Sequence, residues 1–315
     1  MYKKFIGLVF FIVIILYASY SYFVLNYKIL YLDQEYPMWL QVKNIINNTT
    51  SNKIDLMIIG DSRAKAGFIP NELKIKSINL SLGGASPIEG FFTLKKYLKN
   101  NPKPTHIIFS YTPTHLANDS YYWSRTVPFE FLMDSNYKEI ELLAHKMNEK
   151  PIIKNNKRYT DYKYPKSYAS SFKNGIIGRR WLKNKIVLKK CQISKGHYYF
   201  GVKNGDNGLN KETSQSKFKK SKLQEYYFNK LLTLAKSNYI KLYYYNMPFN
   251  KSSFNKVNNN YIDEYNIYIN KLSVKYNMKQ CNNIFYMENS NFGDASHLFK
   301  GAKYNTFKIY ECILK

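Results

Sequence analysis

The sequence predicts an α/β domain behind an N-terminal membrane anchor. Three observations point there. Short apolar runs, each closed by glycine, proline or a polar turn, alternate with helical patterns, which is how a parallel sheet covered by helices on both faces is encoded. Residues 5–25 (FIGLVFFIVIILYASYSYFVL) carry no charge and are long enough to cross a hydrocarbon core of ~30 Å as a helix. A stretch over roughly residues 115–221 separates the third strand from the fourth, far longer than an ordinary connection and so expected to be an inserted cap. The expectation is a three-layer α/β/α domain with a long basic insertion. The 315 residues exceed what one core needs but fall short of two full-sized domains.

Residues 1–28 form the expected anchor. Lys3 and Lys4 precede the apolar run, so the positive-inside tendency keeps the N-terminus in the cytoplasm and sends the remaining chain outside. Tyr17, Tyr20, Tyr22 and Tyr27 suit an interfacial aromatic belt, although tyrosine is abundant throughout. A cleaved signal peptide is the alternative, but the run exceeds a usual h-region and no clear A-x-A site follows. Residues 29–53 read as a juxtamembrane linker with a helix around residues 39–46. The polar run Asn47-Asn48-Thr49-Thr50-Ser51-Asn52 closes it.

The α/β domain then occupies residues 54–315. Residues 54–59 (IDLMII), ended by Gly60, have the continuous apolar character of a strand buried on both faces. Residues 77–82 (SINLSL) are the second strand, followed by Gly83-Gly84. A helix over residues 88–100 is stopped by Asn101-Pro102-Lys103-Pro104, and residues 106–111 (HIIFSY) are the third strand. After the insertion come a helix over residues 223–235, a fourth strand at residues 240–246 (IKLYYYN), a helix over residues 261–276 and a fifth strand at residues 284–287.

Hydrophobic residues make up 45% of the chain, with 31 Tyr and 20 Phe, which provides ample apolar area to offset chain entropy and excludes a disordered protein. The net charge is +27, a sign that attracts polyanions: nucleic acid, anionic lipid or acidic envelope polymers. Residues 150–222 hold twenty basic residues against Asp161, Asp206 and Glu212, so they carry +17 of that total. No nucleic-acid-binding motif is present, and the anchor places the domain away from nucleic acid. Cys191, Cys281 and Cys312 lie outside any CxxC spacing, which argues against a metal site. A Cys281–Cys312 bridge is open outside the cytoplasm, with small buried thiols as the other reading.

Gly60-Asp61-Ser62-Arg63 follows the first strand directly. The carboxyl end of a parallel strand opens onto a crevice where ligands and reacting groups sit. Ser62 is therefore suited to be a nucleophile, which needs a base oriented by a third group. Gly293-Asp294-Ala295-Ser296-His297-Leu298 supplies both near the other end of the chain. A spacing of three brings the carboxylate to one imidazole nitrogen and leaves the other for a hydroxyl. Taken singly, GDS and DxxH are weak signals, since Ser62 could cap a helix and DxxH could be a surface turn. Their positions, after the first and last strands, supply the specificity.

These blocks resemble the SGNH (GDSL-like) hydrolase superfamily: Gly60-Asp61-Ser62 after strand one, glycine after strand two, and Asp294-x-x-His297 followed by Leu298 and Gly301-Ala302. The anchor, the GDSR form and NLSLGGAS at residues 79–86 are similar to membrane-anchored envelope proteins of the alginate O-acetylation and teichoic acid D-alanine transfer type. The similarity covers residues 54–114 and 239–315 and omits the insertion. It implies a flavodoxin-like parallel sheet, catalysis by Ser62, His297 and Asp294, and oxyanion donors at Ser62 N–H and Gly84 N–H, with Gly83 as the alternative. The family's GxND block is replaced by Tyr111-Thr112-Pro113-Thr114-His115. Thr114, His115 or Asn118 then supplies the third donor, or it is missing. Asp61, Arg63 and His115 are candidate substrate contacts; Asp61 has turn fixation, and His115 a structural hydrogen bond, as the competing role.

The resemblance implies a serine esterase or O-acyltransferase without metal or cofactor, working through an acyl-enzyme on an extracytoplasmic envelope polysaccharide or glycolipid. It also implies a membrane-bound O-acyltransferase partner. The competing expectation is an inactive anchored protein whose basic insertion grips an anionic polymer. Residue patterns do not separate hydrolysis from transfer.

Overall fold

The computed structural model describes residues 2–26, 33–117, 122–127, 129–149 and 178–314. Parts of the expected linker and of the basic insertion lie outside these residues. Helix α1 (Tyr2–Asn26) follows from an uninterrupted apolar run. Its window Tyr2–Ser19 has a mean hydropathy of 1.8 and none of it is buried, so it is long and apolar enough to span a membrane. Helix α2 (Tyr36–Asn47) begins at Tyr36-Pro37, where proline suits the first turn. It buries Trp39 edge-on against Phe129 and Phe131 of the insertion, with ring centroids 5.4 and 5.1 Å apart.

The main sheet is formed by β1 (Leu56–Gly60), β2 (Ser77–Asn79), β3 (His106–Ser110), β4 (Lys241–Tyr244) and β6 (Lys279–Gln280), in the order β2-β1-β3-β4-β6. Each strand pairs in parallel with its neighbours. A separate parallel pair joins β5 (Phe249–Asn250) to β7 (Tyr286–Met287). Alternate side chains enter two cores. Met57, Ile59, Ile107, Phe109, Leu242 and Tyr244 join one cluster with residues of α2, α4 (Pro87–Asn100), α8 (Lys222–Ser237) and α9 (Asn259–Tyr276). Leu56, Ile58, Ile108 and Tyr243 join a second with Phe68 and with Ile309 of α10 (Ala302–Leu314). Each fully buried side chain of this kind contributes about 1.5–3 kcal/mol of transfer free energy, and burial on both sides explains the unbroken apolar runs in the sequence.

A single helical turn at Lys251–Phe254 follows β5, and the other α-helices among the described residues are α3 (Ser62–Gly67), α5 (Pro113–Ala117), α6 (Asp134–Lys146) and α7 (Arg180–Ile193). The last two lie within the insertion, which the sequence reading left without periodicity. Two strand expectations require correction. The second strand ends at Asn79 rather than residue 82; Leu80 N and Leu82 N still donate to Ile58 O and Gly60 O of β1, and the Asn79 side chain donates to the carbonyls of Ala64 and Phe68, both at 3.0 Å. The fifth strand of the main sheet is Lys279–Gln280 and not residues 284–287, which pair with Phe249–Asn250 instead. Two residues, exposed and half-buried, carry no apolar signature. Cys281, next to that strand, is bridged to Cys312 with Cα atoms 5.6 Å apart, while Cys191 is a buried free thiol. Of the two cysteine readings, bridge and buried thiol, each applies to part of the set.

Candidate active site

The turn after β1 is set by Gly60 and Asp61. A Cβ on Gly60 would lie 2.0 Å from the Ser110 carbonyl oxygen of β3, so only glycine lets the two strand ends close here. The Asp61 carboxylate accepts from Arg63 N at 2.9 Å, capping α3, and from Thr112 N at 2.6 Å. His115 Nδ1 stands 2.9 Å from the same carboxylate. Burial pushes the Asp61 carboxyl up, but the hydrogen bond and charge of His115, the Thr112 amide and Arg63 outweigh it and hold its pKa below the ordinary carboxylate value. Asp61 is 1% exposed with both oxygens engaged, the arrangement of the turn-fixing role weighed for it above. It fixes the turn between the ends of β1 and β3, and His115 is its hydrogen-bonded partner at the cavity edge.

Ser62 is the first residue of α3 and half-buried. Beneath it, Asn79 and Lys65 tie α3 to the loop after β2. Lys65 Nζ, fully buried, donates to the Ser81 carbonyl at 2.8 Å, and Leu82 N donates to Gly60 O at 3.1 Å. This loop reaches Gly84, whose φ of +72° lies in the left-handed region where glycine is favoured. Ser62 and Gly84 line one cavity of about 150 Å³. The alternative Gly83 carries the Glu35 carboxylate in the space a side chain would occupy, with a Cβ only 2.4 Å from Oε2.

His297 lines the same cavity. Its turn is an Asx-type turn: Asp294 Oδ1 accepts from Ser296 N and His297 N, each at 2.8 Å. The Asp294 oxygens stand 2.8 and 2.9 Å from His297 Nδ1, and Phe200 of the insertion stacks on the imidazole with centroids 4.6 Å apart. Burial pushes the Asp294 carboxyl up, yet the His297 hydrogen bond and charge and the two amides outweigh it and hold its pKa low. His297 Nε2 is buried without a hydrogen-bond partner among the described residues. With Nδ1 directed to a carboxylate, Nε2 is the nitrogen left to take a proton. Ser62 Oγ makes no hydrogen bond among the described residues and shares only the lining of one cavity with His297. Apo sites often show such looser geometry.

Backbone contact with the insertion fixes the His297 turn. Gly201 and Gly293 lie back to back: a Cβ on Gly293 would fall 2.0 Å from Gly201 O, and Lys203 N donates to Gly293 O at 3.3 Å. The insertion therefore supplies part of the cavity wall as well as covering it.

Arg63, expected to contact substrate, is held by Glu212 of the insertion at 2.7 Å, with side chains 7% and 0% exposed. It lies over the Phe249 ring at 4.9 Å, and its Nη1 is buried without a partner among the described residues. Thr114 Oγ1 donates to the other Glu212 oxygen at 3.1 Å, so its proton is committed and it is a poor third oxyanion donor. Asn118 lies outside the described residues. Among these same residues no cluster of His, Cys, Asp or Glu could hold a metal ion.

The sequence reading missed Glu35, Arg125, Phe200, Lys211, Glu212 and Ser296, all of which line the cavity. Glu212 alone left a trace, as one of three acids in a strongly basic stretch. Glu35 pairs with Arg125 at 2.8 Å. Burial raises its pKa, with Arg125 opposing, and Oε2 is unpartnered among the described residues. A larger depression of about 420 Å³ lies where β4 and β6 begin, lined by Lys241 and Lys279. It is at the sheet edge opposite the Ser62 site, away from the carboxyl ends where chemistry is expected. No protein-family model and no curated protein sequence matches the chain.

Proposed function

We propose that this chain is an SGNH-type serine esterase or O-acyltransferase. The observation that supports this most directly is the buried, unpartnered Nε2 of His297, held by Asp294 through Nδ1 and set on the same cavity as Ser62. In the proposed reaction Ser62 Oγ attacks an ester carbonyl carbon while its proton passes to His297 Nε2. The tetrahedral oxyanion is stabilised by Ser62 N–H and Gly84 N–H, donors of a kind that contribute ~3 kcal/mol each. Collapse expels the alcohol, which takes the proton from His297, and leaves an acyl-enzyme. Water or a sugar hydroxyl then gives its proton to Nε2 and attacks the acyl carbon, and as the acyl–oxygen bond to Ser62 breaks Nε2 returns that proton to Ser62 Oγ. Asp294 stabilises the transient imidazolium and stays ionised.

The strand order β2-β1-β3-β4-β6 and the two cores on alternate side chains support reading the domain as a three-layer α/β/α fold with flavodoxin-like order. The apolar α1 and the flanking Lys3 and Lys4 support a single-pass anchor with the domain outside the membrane. The Cys281–Cys312 bridge fits an oxidising compartment. We assign an envelope polysaccharide or glycolipid as substrate on that location and on the resemblance, and a membrane-bound O-acyltransferase as partner on the resemblance alone.

A fluorophosphonate probe tests the proposal on the full chain in detergent. Wild type is expected to be labelled, and Ser62→Ala and His297→Ala are not. Equal labelling of wild type and Ser62→Ala would overturn it, and an unlabelled but polymer-binding wild type would favour the inactive binding protein. Acetyl ester turnover with and without a glycan acceptor separates transfer from hydrolysis.

A further inference from the structure

Helix α7 carries apolar side chains on both of its faces. At 100° per residue, Asn184 and Cys191 fall on one side and are buried, where the helix packs on α2. Leu182, Ile186 and Ile193 fall on the opposite side and are 40%, 56% and 65% exposed. Lys185 and Lys189 flank this outer stripe on one side, and Lys183 and Lys190 on the other. Its sequence, RWLKNKIVLKKCQI, holds no acidic residue. A helix on a water-facing surface normally turns its apolar stripe inward and leaves its outer face polar. An outer apolar stripe flanked by lysines, with no acid on the helix, is chemically suited to contact with anionic lipid.

The position of α7 agrees with its pattern. Asn184 Nδ2 donates to the Asp33 carbonyl at 2.7 Å, so α7 is bonded to the segment that leaves the membrane helix. From Asn26, the last residue of α1, to Asp33 an extended chain spans at most about 25 Å. With α1 spanning the bilayer as proposed, the point where α7 is bonded to Asp33 thus lies within about 25 Å of the end of the membrane helix.

We propose that the outer face of α7 docks on an anionic bilayer surface, with Leu182, Ile186 and Ile193 at the acyl boundary and the lysines on lipid phosphates. The anchor limits how far the domain can move away, and α7 sets which face it turns to the membrane. The proposal concerns orientation and is independent of the chemistry at Ser62.

The test places an environment-sensitive nitrobenzoxadiazole label on Ile186→Cys, or on Val274→Cys as control, in the full chain in nanodiscs. Val274 is 78% exposed on α9, Cys191 is buried and the other two cysteines are bridged. Discs contain phosphatidylcholine with or without phosphatidylglycerol, and circular dichroism checks each variant for folding. In anionic discs the label at 186 is expected to shift to the blue and to be quenched several-fold more by doxyl-labelled lipid than the label at 274. Replacing Lys183, Lys185, Lys189 and Lys190 with Gln is expected to abolish that difference. A water-like label at 186 in anionic discs would overturn the proposal. So would a blue-shifted label that lipid quenchers cannot reach, since that result means a second protein surface covers the stripe.

Discussion

Arg63 and Glu212, from the turn after β1 and the insertion, form an ion pair of 2.7 Å with almost no exposure of either side chain. Removing water from two charges is costly, and a pair so placed holds only while both partners remain. Arg63→Met or Glu212→Gln alone is expected to cost about 3–5 kcal/mol by stranding the other charge. The double variant is expected to cost clearly less than the sum of the two. Urea unfolding of the four proteins in one detergent measures the coupling. Additive effects would mean that the pair does not hold the insertion to α3.

Asp294→Asn keeps the shape of the His297 turn but presents an amide to Nδ1, which favours the wrong tautomer. If Ser62 works through His297, ester turnover is expected to fall by about 10³–10⁴-fold with little change in KM. Steady-state kinetics against wild type checks this, and a loss below tenfold would show that Asp294 does not orient the base.

Lys65 provides a pH signature of the interior. Burial lowers its pKa from 10.5 to about 8, partly opposed by the nearby Cys191 thiol. Between these values the unfolded chain holds a proton that the folded chain has released, so stability rises with pH across that window. The full penalty applies below pH 8 and amounts to about 3 kcal/mol. Two neighbours bear on it: the Cys191 thiol is pushed up by burial, and His197, lowered to about 4, does not titrate there. Relative to Lys65→Met, wild type is expected to gain about 2 kcal/mol of unfolding free energy from pH 8 to 9.5. Tyrosines of the unfolded chain begin to ionise near the top of that range, but equally in both proteins, so the difference between them isolates Lys65. Parallel curves for the two proteins would show that Lys65 is solvated.

Because apolar run, glycine and period are local signals, they made α1, the ends of β1 and β3, and the helices at residues 87–100, 222–237 and 259–276 legible in the sequence, each within a few residues. The Asp294–His297 pairing was legible for the same reason, since a spacing of three within one turn can bring both side chains together, although contact with the insertion holds that turn in place. The two-residue β6 was not, because its place in the sheet follows from the packing of β4 and α9 rather than from its own residues.

The sequence by itself determined the apolar N-terminal helix, the buried strands, the Gly60-Asp61-Ser62 turn and the Asp–His turn. Only the tertiary structure decided that Ser62 and His297 share a cavity, that Glu35 lines it from the start of α2, and that Glu212 and Phe200 of the insertion complete its wall. Backbone dihedrals and hydrophobic period act over a few residues and are written in neighbouring side chains. The meeting of distant segments is settled by the close packing of whole elements, such as Gly201 against Gly293, and no short stretch of the chain encodes that contact.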